Sequence, residues 1–257
     1  MMTLYKLFLS LCVMAIATST TKADLVTDLS DRRIEINSTF TGASLLLFGT
    51  FTEKFDYDPK LHDIVITVKG PNKPMVIRKK ANKAGIWINY YREEYMNIPS
   101  YYSVLSSRAL EQITTKPILG KLGLGTNFLF FNPDVTRQLL PNSTAWKEFR
   151  DAAVRLKKEE KLYIDQPNGV KFVGNGLFRA NIEFPANVDI GTYEVSAYLF
   201  RNGEMVFEEH SPITMRKFGF SNALSHFAHN YPWWHGILAV IFALFCGWLA
   251  AAVFKRK

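Results

Sequence analysis

The chain has 257 residues, 48% of them hydrophobic, and a net charge of +8. Lys6, Lys22 and the terminal Lys255, Arg256 and Lys257 supply five of those charges, so the basic balance belongs to the ends and gives no argument for a nucleic-acid partner. The two cysteines, Cys12 and Cys246, lie in apolar terminal segments, which leaves the stretch between them without a disulfide, a thiol nucleophile or a Cys-ligated metal.

Met1 to Ala23 carries Lys6, an apolar run from Leu7 to Ala17, and Thr21-Lys22-Ala23 with small residues where a signal peptidase reads. Residues 1–23 are therefore expected to be a cleaved secretory signal. The 24–230 stretch reads as an exported domain of strands with one helical interruption. Arg33 to Ile36 and Ser44 to Thr52 are short apolar runs separated by Thr41-Gly42, and Ser44 to Phe48 is apolar on both faces, as in a central strand. In Asp63 to Lys69, Ile64, Ile66 and Val68 point one way and Val65 and Thr67 the other, until Gly70-Pro71-Asn72 stops the strand. Met75 to Arg78 and Ile86 to Asn89 are two further short strands.

From about 107 to 165 the pattern changes, with Pro117, Gly120, Gly123, Gly125, Pro133 and Pro141 breaking it repeatedly. A helix is expected to begin near Asn142-Ser143, with Trp146, Phe149, Ala153 and Leu156 on its apolar face. Strands resume after Gly169. Phe178, Ala180, Ile182 and Phe184 alternate with polar residues, and so do Tyr193, Val195, Ala197 and Leu199, before Asn202-Gly203 makes a type I′ hairpin turn into Met205 to His210. Asp189 to Tyr193 has the form of a tyrosine corner, with the hydroxyl bonding back across the turn. These strands are thus read as E, F and G of a mainly-β, immunoglobulin-like β-sandwich. Strands A, B, C and C′ come from 33–89, and the partly helical insertion interrupts them.

Trp234 to Phe254 holds no Asp, Glu, Lys or Arg, and its 21 residues reach roughly 31 Å as a helix, enough for a bilayer core. Tyr231, Trp233 and Trp234 mark one border, and the 255–257 tail is expected on the cytoplasmic side. The chain is then expected to be a single-pass membrane protein with its domain on the non-cytoplasmic side and one C-terminal transmembrane helix, 234–254.

Candidate chemistry is sparse. His226, His229 and His235 precede the span, and the first two, spaced i, i+3, are weak metal ligands or else belong to a polar juxtamembrane segment. Lys69, Lys73, Arg78, Lys79, Lys80 and Lys83 have no acid among them and form either an anion patch or a charged strand edge. Trp87, Tyr90, Tyr91, Tyr95, Tyr101 and Tyr102 either form a contact surface or fill the core, and Tyr90, Tyr91 and Tyr95, set among Arg92, Glu93 and Glu94, are expected to be the exposed ones. Gly120 to Gly125 lacks the Gly-Lys-Ser/Thr end of a phosphate loop, and there is no nucleophile elbow or zincin motif. Ala239, Ala243, Gly247 and Ala251 recur every four residues, a stripe that lets a second helix approach.

Several stretches together resemble an alphaproteobacterial family of transmembrane proteins of unknown function. They are Phe40-Thr41-Gly42-Ala43 with Leu47-Phe48-Gly49, Val68-Lys69-Gly70-Pro71, Ala84 to Asn89, Pro99 to Tyr102 with Ser106 to Arg108, Leu177 to Ala180, Gly191-Thr192-Tyr193 and Gly247-Trp248. The resemblance implies a single-pass protein of a bacterial inner membrane, with a periplasmic domain on a C-terminal anchor and an association with permeases of the sulfite-exporter type. It brings no catalytic residue and no cofactor. The expected function is that of a non-enzymatic accessory protein whose partner is another membrane protein, or a second copy, reached through the transmembrane helix. The alternative is a metal- or anion-binding enzyme or assembly factor using the juxtamembrane histidines.

Overall fold

A computed structural model of the chain describes residues 25–51, 58, 61–131, 144–174, 176–218 and 228–254. The expected signal and the terminal basic residues lie outside these.

Two antiparallel-rich sheets face each other. The first has four strands in the order β1 (Leu25–Leu29), β3 (Gly42–Phe51), β10 (Leu177–Pro185) and β9 (Val170–Val173). The second has six: β2 (Arg33–Ile36), β12 (Glu204–Lys217), β11 (Gly191–Arg201), β4 (His62–Lys69), β7 (Tyr102–Ser106) and β8 (Tyr163–Pro167). The mainly-β reading holds, and the orders β1-β3-β10-β9 and β12-β11-β4 fit the A-B-E-D and G-F-C sheets of an immunoglobulin-type sandwich, with β2, β7 and β8 added at the edges of the second. The sequence period explains the layering. In β10 Phe178, Ala180, Ile182 and Phe184 are buried while Leu177, Arg179, Asn181 and Glu183 are exposed, so one face turns inward and the other to water.

The second sheet is covered on its outer face too, which explains why β4 is buried from His62 to Val68 and not at alternate positions. Two short helices, α1 (Leu110–Ile113) and α2 (Lys116–Leu122), and a 3-10 turn at Thr126–Phe128 form that cover. The Tyr102 hydroxyl donates to the Gly123 carbonyl and accepts from the Gly125 N–H, both at 2.9 Å, and Thr114 Oγ1 donates to the Gly203 carbonyl at 2.6 Å. Gly123, at φ +65°, is the left-handed cap of α2, so the glycine-rich run ends a helix. A longer helix, α3 (Thr144–Glu159), follows. Ala153 is buried and Phe149 partly buried against the core as expected, but Leu156 is exposed, and the N-cap candidates Asn142 and Ser143 lie outside the described residues.

The strand assignment needs one correction. The C′ place beside β4 is taken by Tyr102–Ser106, not by a strand from 75–89. Met75–Arg78 and Ile86–Asn89 are parts of two long strands, β5 (Asn72–Lys83) and β6 (Ile86–Pro99), which among the described residues pair only with each other. β7 is buried at all five positions, whereas β5 has buried side chains at only one, Ile77, so only β7 suits a sheet covered on both faces.

The corner at Asp189–Tyr193 forms as the sequence predicts. Tyr193 is fully buried and its hydroxyl donates to the Asp189 carbonyl at 2.7 Å. Its ring meets Phe184 edge-on at 5.7 Å and Tyr101 at 5.9 Å, while Tyr101 lies 5.1 Å from Phe184 and donates to the Glu183 carbonyl at 2.7 Å. The hairpin turn also forms, with Asn202 at φ +50° and Gly203 at φ +87°.

Tyr193→Phe removes one buried hydrogen bond and is expected to cost about 1 kcal/mol in a urea titration; an unchanged midpoint would show the corner bond to be idle. Burial pushes the Tyr95 hydroxyl up to about 12 and those of Tyr101, Tyr102, Tyr163 and Tyr193 higher still. The folded values exceed the unfolded value of 10.0, so the stability these groups give is intact below about pH 10 and is lost as pH rises through 12. The urea midpoint should therefore fall steadily above pH 10, with the phenolate absorbance of these five buried tyrosines appearing only on unfolding. A midpoint unchanged between pH 10 and pH 12 would contradict it.

Candidate functional site

β5 and β6 form an arm. Its tip is a two-residue turn, Ala84 at φ +52° and Gly85 at φ +83°, with the Gly85 N–H on Asn82 Oδ1 at 3.0 Å. Lys83 pairs with Ile86, Asn82 with Trp87, Ala81 with Ile88 and Lys80 with Asn89. Tyr90 then bulges out, so that Lys79 pairs with Tyr91 and Arg78 with Arg92. Strand alternation puts Lys79, Ala81, Lys83, Ile86, Ile88 and Tyr91 on one face, and Arg78, Lys80, Asn82, Trp87, Asn89 and Arg92 on the other.

The base of the arm belongs to the body. Ile77, Tyr95 and Ile98 are buried, Tyr95 stands edge-on to Phe131 at 5.5 Å, and Lys79 Nζ meets Glu148 of α3 at 2.6 Å. Beyond that contact the apolar side chains lie open: Ile86 is 65% exposed, Trp87 67%, Tyr90 54% and Tyr91 48%. Two-stranded hairpins are marginal in water, and Arg78 directly opposite Arg92 is a like-charge pair that weakens this one further. A bare apolar tip on such an arm is not part of the core and, outside the apolar C-terminal helix, is the strongest contact surface among the described residues.

The structure sorts the candidate residues. Tyr90 and Tyr91 are exposed as expected, and Lys83 Nζ sits 4.4 Å over the Tyr90 ring. The expectation for Tyr95 is corrected: it falls on the arm's inward face opposite Met75 and is fully buried. The six basic residues do not converge into one patch. Lys69 ends β4, Lys73 pairs with Asp189 at 2.5 Å and Lys79 with Glu148, while Arg78, Lys80 and Lys83 are exposed along the arm. His226 lies outside the described residues. His229 lines a groove with Glu35, Gly191, Thr214 and Lys217, and His235 stands in the first turn of α4 (Pro232–Phe254). Among the described residues no group of three or more His, Cys, Asp or Glu side chains is placed to hold a metal. The sequence reading missed Ile86 and Ile88 as contact residues and left Trp87 open between contact and core. Ala84-Gly85 between two apolar runs was the available signal for a hairpin tip.

α4 is apolar enough to cross a membrane over Pro232–Ala251, and none of that stretch is buried against the rest of the chain. The residues Ala239, Ala243, Gly247 and Ala251 fall along this helix at one-turn spacing. The family described as "Putative transmembrane protein (Alph_Pro_TM)" matches residues 24–256. The chain belongs to this family. With one helix among the described residues long and apolar enough to cross a membrane, this member is a membrane-anchored protein. A search of curated proteins found no match.

The two kinds of arm residue should respond differently to truncation. Tyr95→Ala is expected to destabilise the chain by about 3 kcal/mol or more. Trp87→Ala and Tyr91→Ala should shift stability by no more than about 0.5 kcal/mol. Denaturant titrations of the three variants decide it, and a large loss at Trp87 would make the tip part of the core.

Proposed function

We propose that this family member is a non-enzymatic accessory protein that displays a β-sandwich on the membrane surface and works with another membrane protein, such as a permease. In this reading residues 1–23 are removed as a signal, the sandwich stands in the periplasm of a bacterial inner membrane, and residues 255–257 remain cytoplasmic. The reading rests on α4: its apolar Pro232–Ala251 stretch packs on nothing else among the described residues, and Ala239, Ala243, Gly247 and Ala251 recur on it at one-turn spacing. Those small residues form a surface through which a second helix, from a partner or another copy, packs closely.

Crosslinking and affinity capture from native membranes test this. A membrane protein should be captured with the wild type, and Gly247→Leu should reduce its yield several-fold by filling the close-approach surface. Purification as a lone monomer with no membrane protein attached would sink the reading. Reporter fusions on either side of α4 check the orientation: activity of a cytoplasm-dependent reporter fused to the sandwich side would reverse it.

A further inference from the structure

The arm is rooted at the end of the sandwich from which the chain leaves for the membrane. Lys69 of β4 pairs with Glu194 of β11, and Gly191 with Met215 of β12, so the last residues of β4, the β10–β11 corner and the end of β12 share that end. The arm starts after Gly70 and Pro71: a Cβ at Gly191 would meet Pro71 Cγ at 2.9 Å, and Lys73 is paired with Asp189. The segment entering α4 comes back to the same place, because His229 and Asn230 line a groove with Gly191, Thr214 and Lys217. Asn230 directly precedes Tyr231, Trp233 and Trp234, the aromatic border of the span. Arm root and bilayer border are thus brought to one end of the body.

We propose that the arm tip seats in the headgroup layer of the same bilayer that holds α4, with anionic lipid as its ligand. The charge is complementary: from Arg78 to Arg92 there are five basic residues and no acid, and Arg78, Lys80 and Lys83 have no ion pair among the described residues. Trp87, Tyr90 and Tyr91 are the ring types that collect at the membrane interface, and Ile86 and Ile88 add shallow apolar contact. Apolar side chains stand on both faces of the tip, Trp87 on one and Ile86, Ile88 and Tyr91 on the other. A fluid interface wraps both faces, whereas a protein surface takes one and disfavours uncompensated lysine at its centre. The depth is limited. The outer edges of a two-stranded arm have unpaired N–H and C=O groups, which the hydrated headgroup layer satisfies and the hydrocarbon does not. The placement rests on the membrane anchor alone and stands whether or not a partner protein packs on α4.

The test uses the full chain in vesicles, with Cys12 and Cys246 replaced by Ser and a nitroxide attached through Asn89→Cys. Its accessibility is measured to a water-soluble relaxation agent and to oxygen, in phosphatidylcholine with and without phosphatidylglycerol. With phosphatidylglycerol present, access of the water-soluble agent should fall several-fold relative to oxygen. Lys80→Glu with Lys83→Glu should reverse the change, each lost cation weakening the attraction about fivefold. Trp87→Ser with Ile88→Ser should reverse it too. Because these side chains lie outside the core, all variants should keep the wild-type melting curve, which separates lost lipid contact from lost fold. A label equally open to water in both lipids overturns the proposal. So does equal shielding in pure phosphatidylcholine, which denies the anionic preference, or shielding that arises only on adding native membrane proteins, which assigns the tip to a protein.

Discussion

Tyr193 packed against Phe184 and Tyr101 is the contact from which the working end of the molecule is built. Phe184 belongs to the four-stranded sheet, Tyr193 to the six-stranded one, and Tyr101 to the link between the arm and β7. One aromatic cluster therefore closes the sandwich and holds the arm's return strand. The two roots of the arm are also tied to each other, with the Gly70 N–H on the Tyr101 carbonyl at 2.8 Å and the Ser100 N–H on the Pro71 carbonyl at 2.9 Å. Gly70 has no room for a side chain: a Cβ there would lie 2.8 Å from Ser100 Oγ and 3.0 Å from Tyr193 Cε1. The arm thus leaves the body from a packed, hydrogen-bonded base, and its direction is set by the core.

The helical insertion decides what the rest of the surface does. By covering the outer face of β4, β7 and β11, α1 and α2 turn an open sheet into an interior layer and remove a broad surface from play. Asp63 shows the same economy at the opposite end. It is 5% exposed and takes the Ser107 hydroxyl at 2.7 Å and the Arg108 guanidinium, so its buried charge is matched within the fold. Buried polar groups spent in this way stabilise architecture. The arm tip is different in kind: its apolar area is large, its neighbours are water, and no part of the described body covers it.

Local patterns were legible in the sequence, and the facing of surfaces was not. The tyrosine corner and the Asn202-Gly203 turn are read from a few adjacent residues because their geometry is local. The long arm was read as two short sandwich strands because alternation is the same in a free hairpin and in a half-buried sheet. β7 went unread because Tyr-Ser-Val-Leu-Ser is buried on both faces and so has no period. Tyr95 illustrates the same limit within the candidate site. It shares a run with Tyr90, Tyr91, Glu93 and Glu94, and the acids suggested water on all sides. The bulge at Tyr90 and the contact with Phe131 decide that Tyr95 turns inward, and both depend on where Phe131 lies in the tertiary fold.

Rooting the arm beside the membrane border has a consequence for orientation. The groove contact of His229 and Asn230 with Gly191, Thr214 and Lys217 is a narrow tie between sandwich and helix, and by itself it leaves the sandwich free to tilt over the surface. A second contact of even modest strength changes this, because the tether holds the tip at an effective concentration on the order of millimolar. With both contacts made, the end carrying the β10–β11 corner faces the lipid, and the end carrying Asp63, Arg108 and the Asn202-Gly203 turn faces away. A partner in the bilayer would then meet a body presented in one attitude, which lowers the orientational cost of recognition before any contact between the two proteins is made.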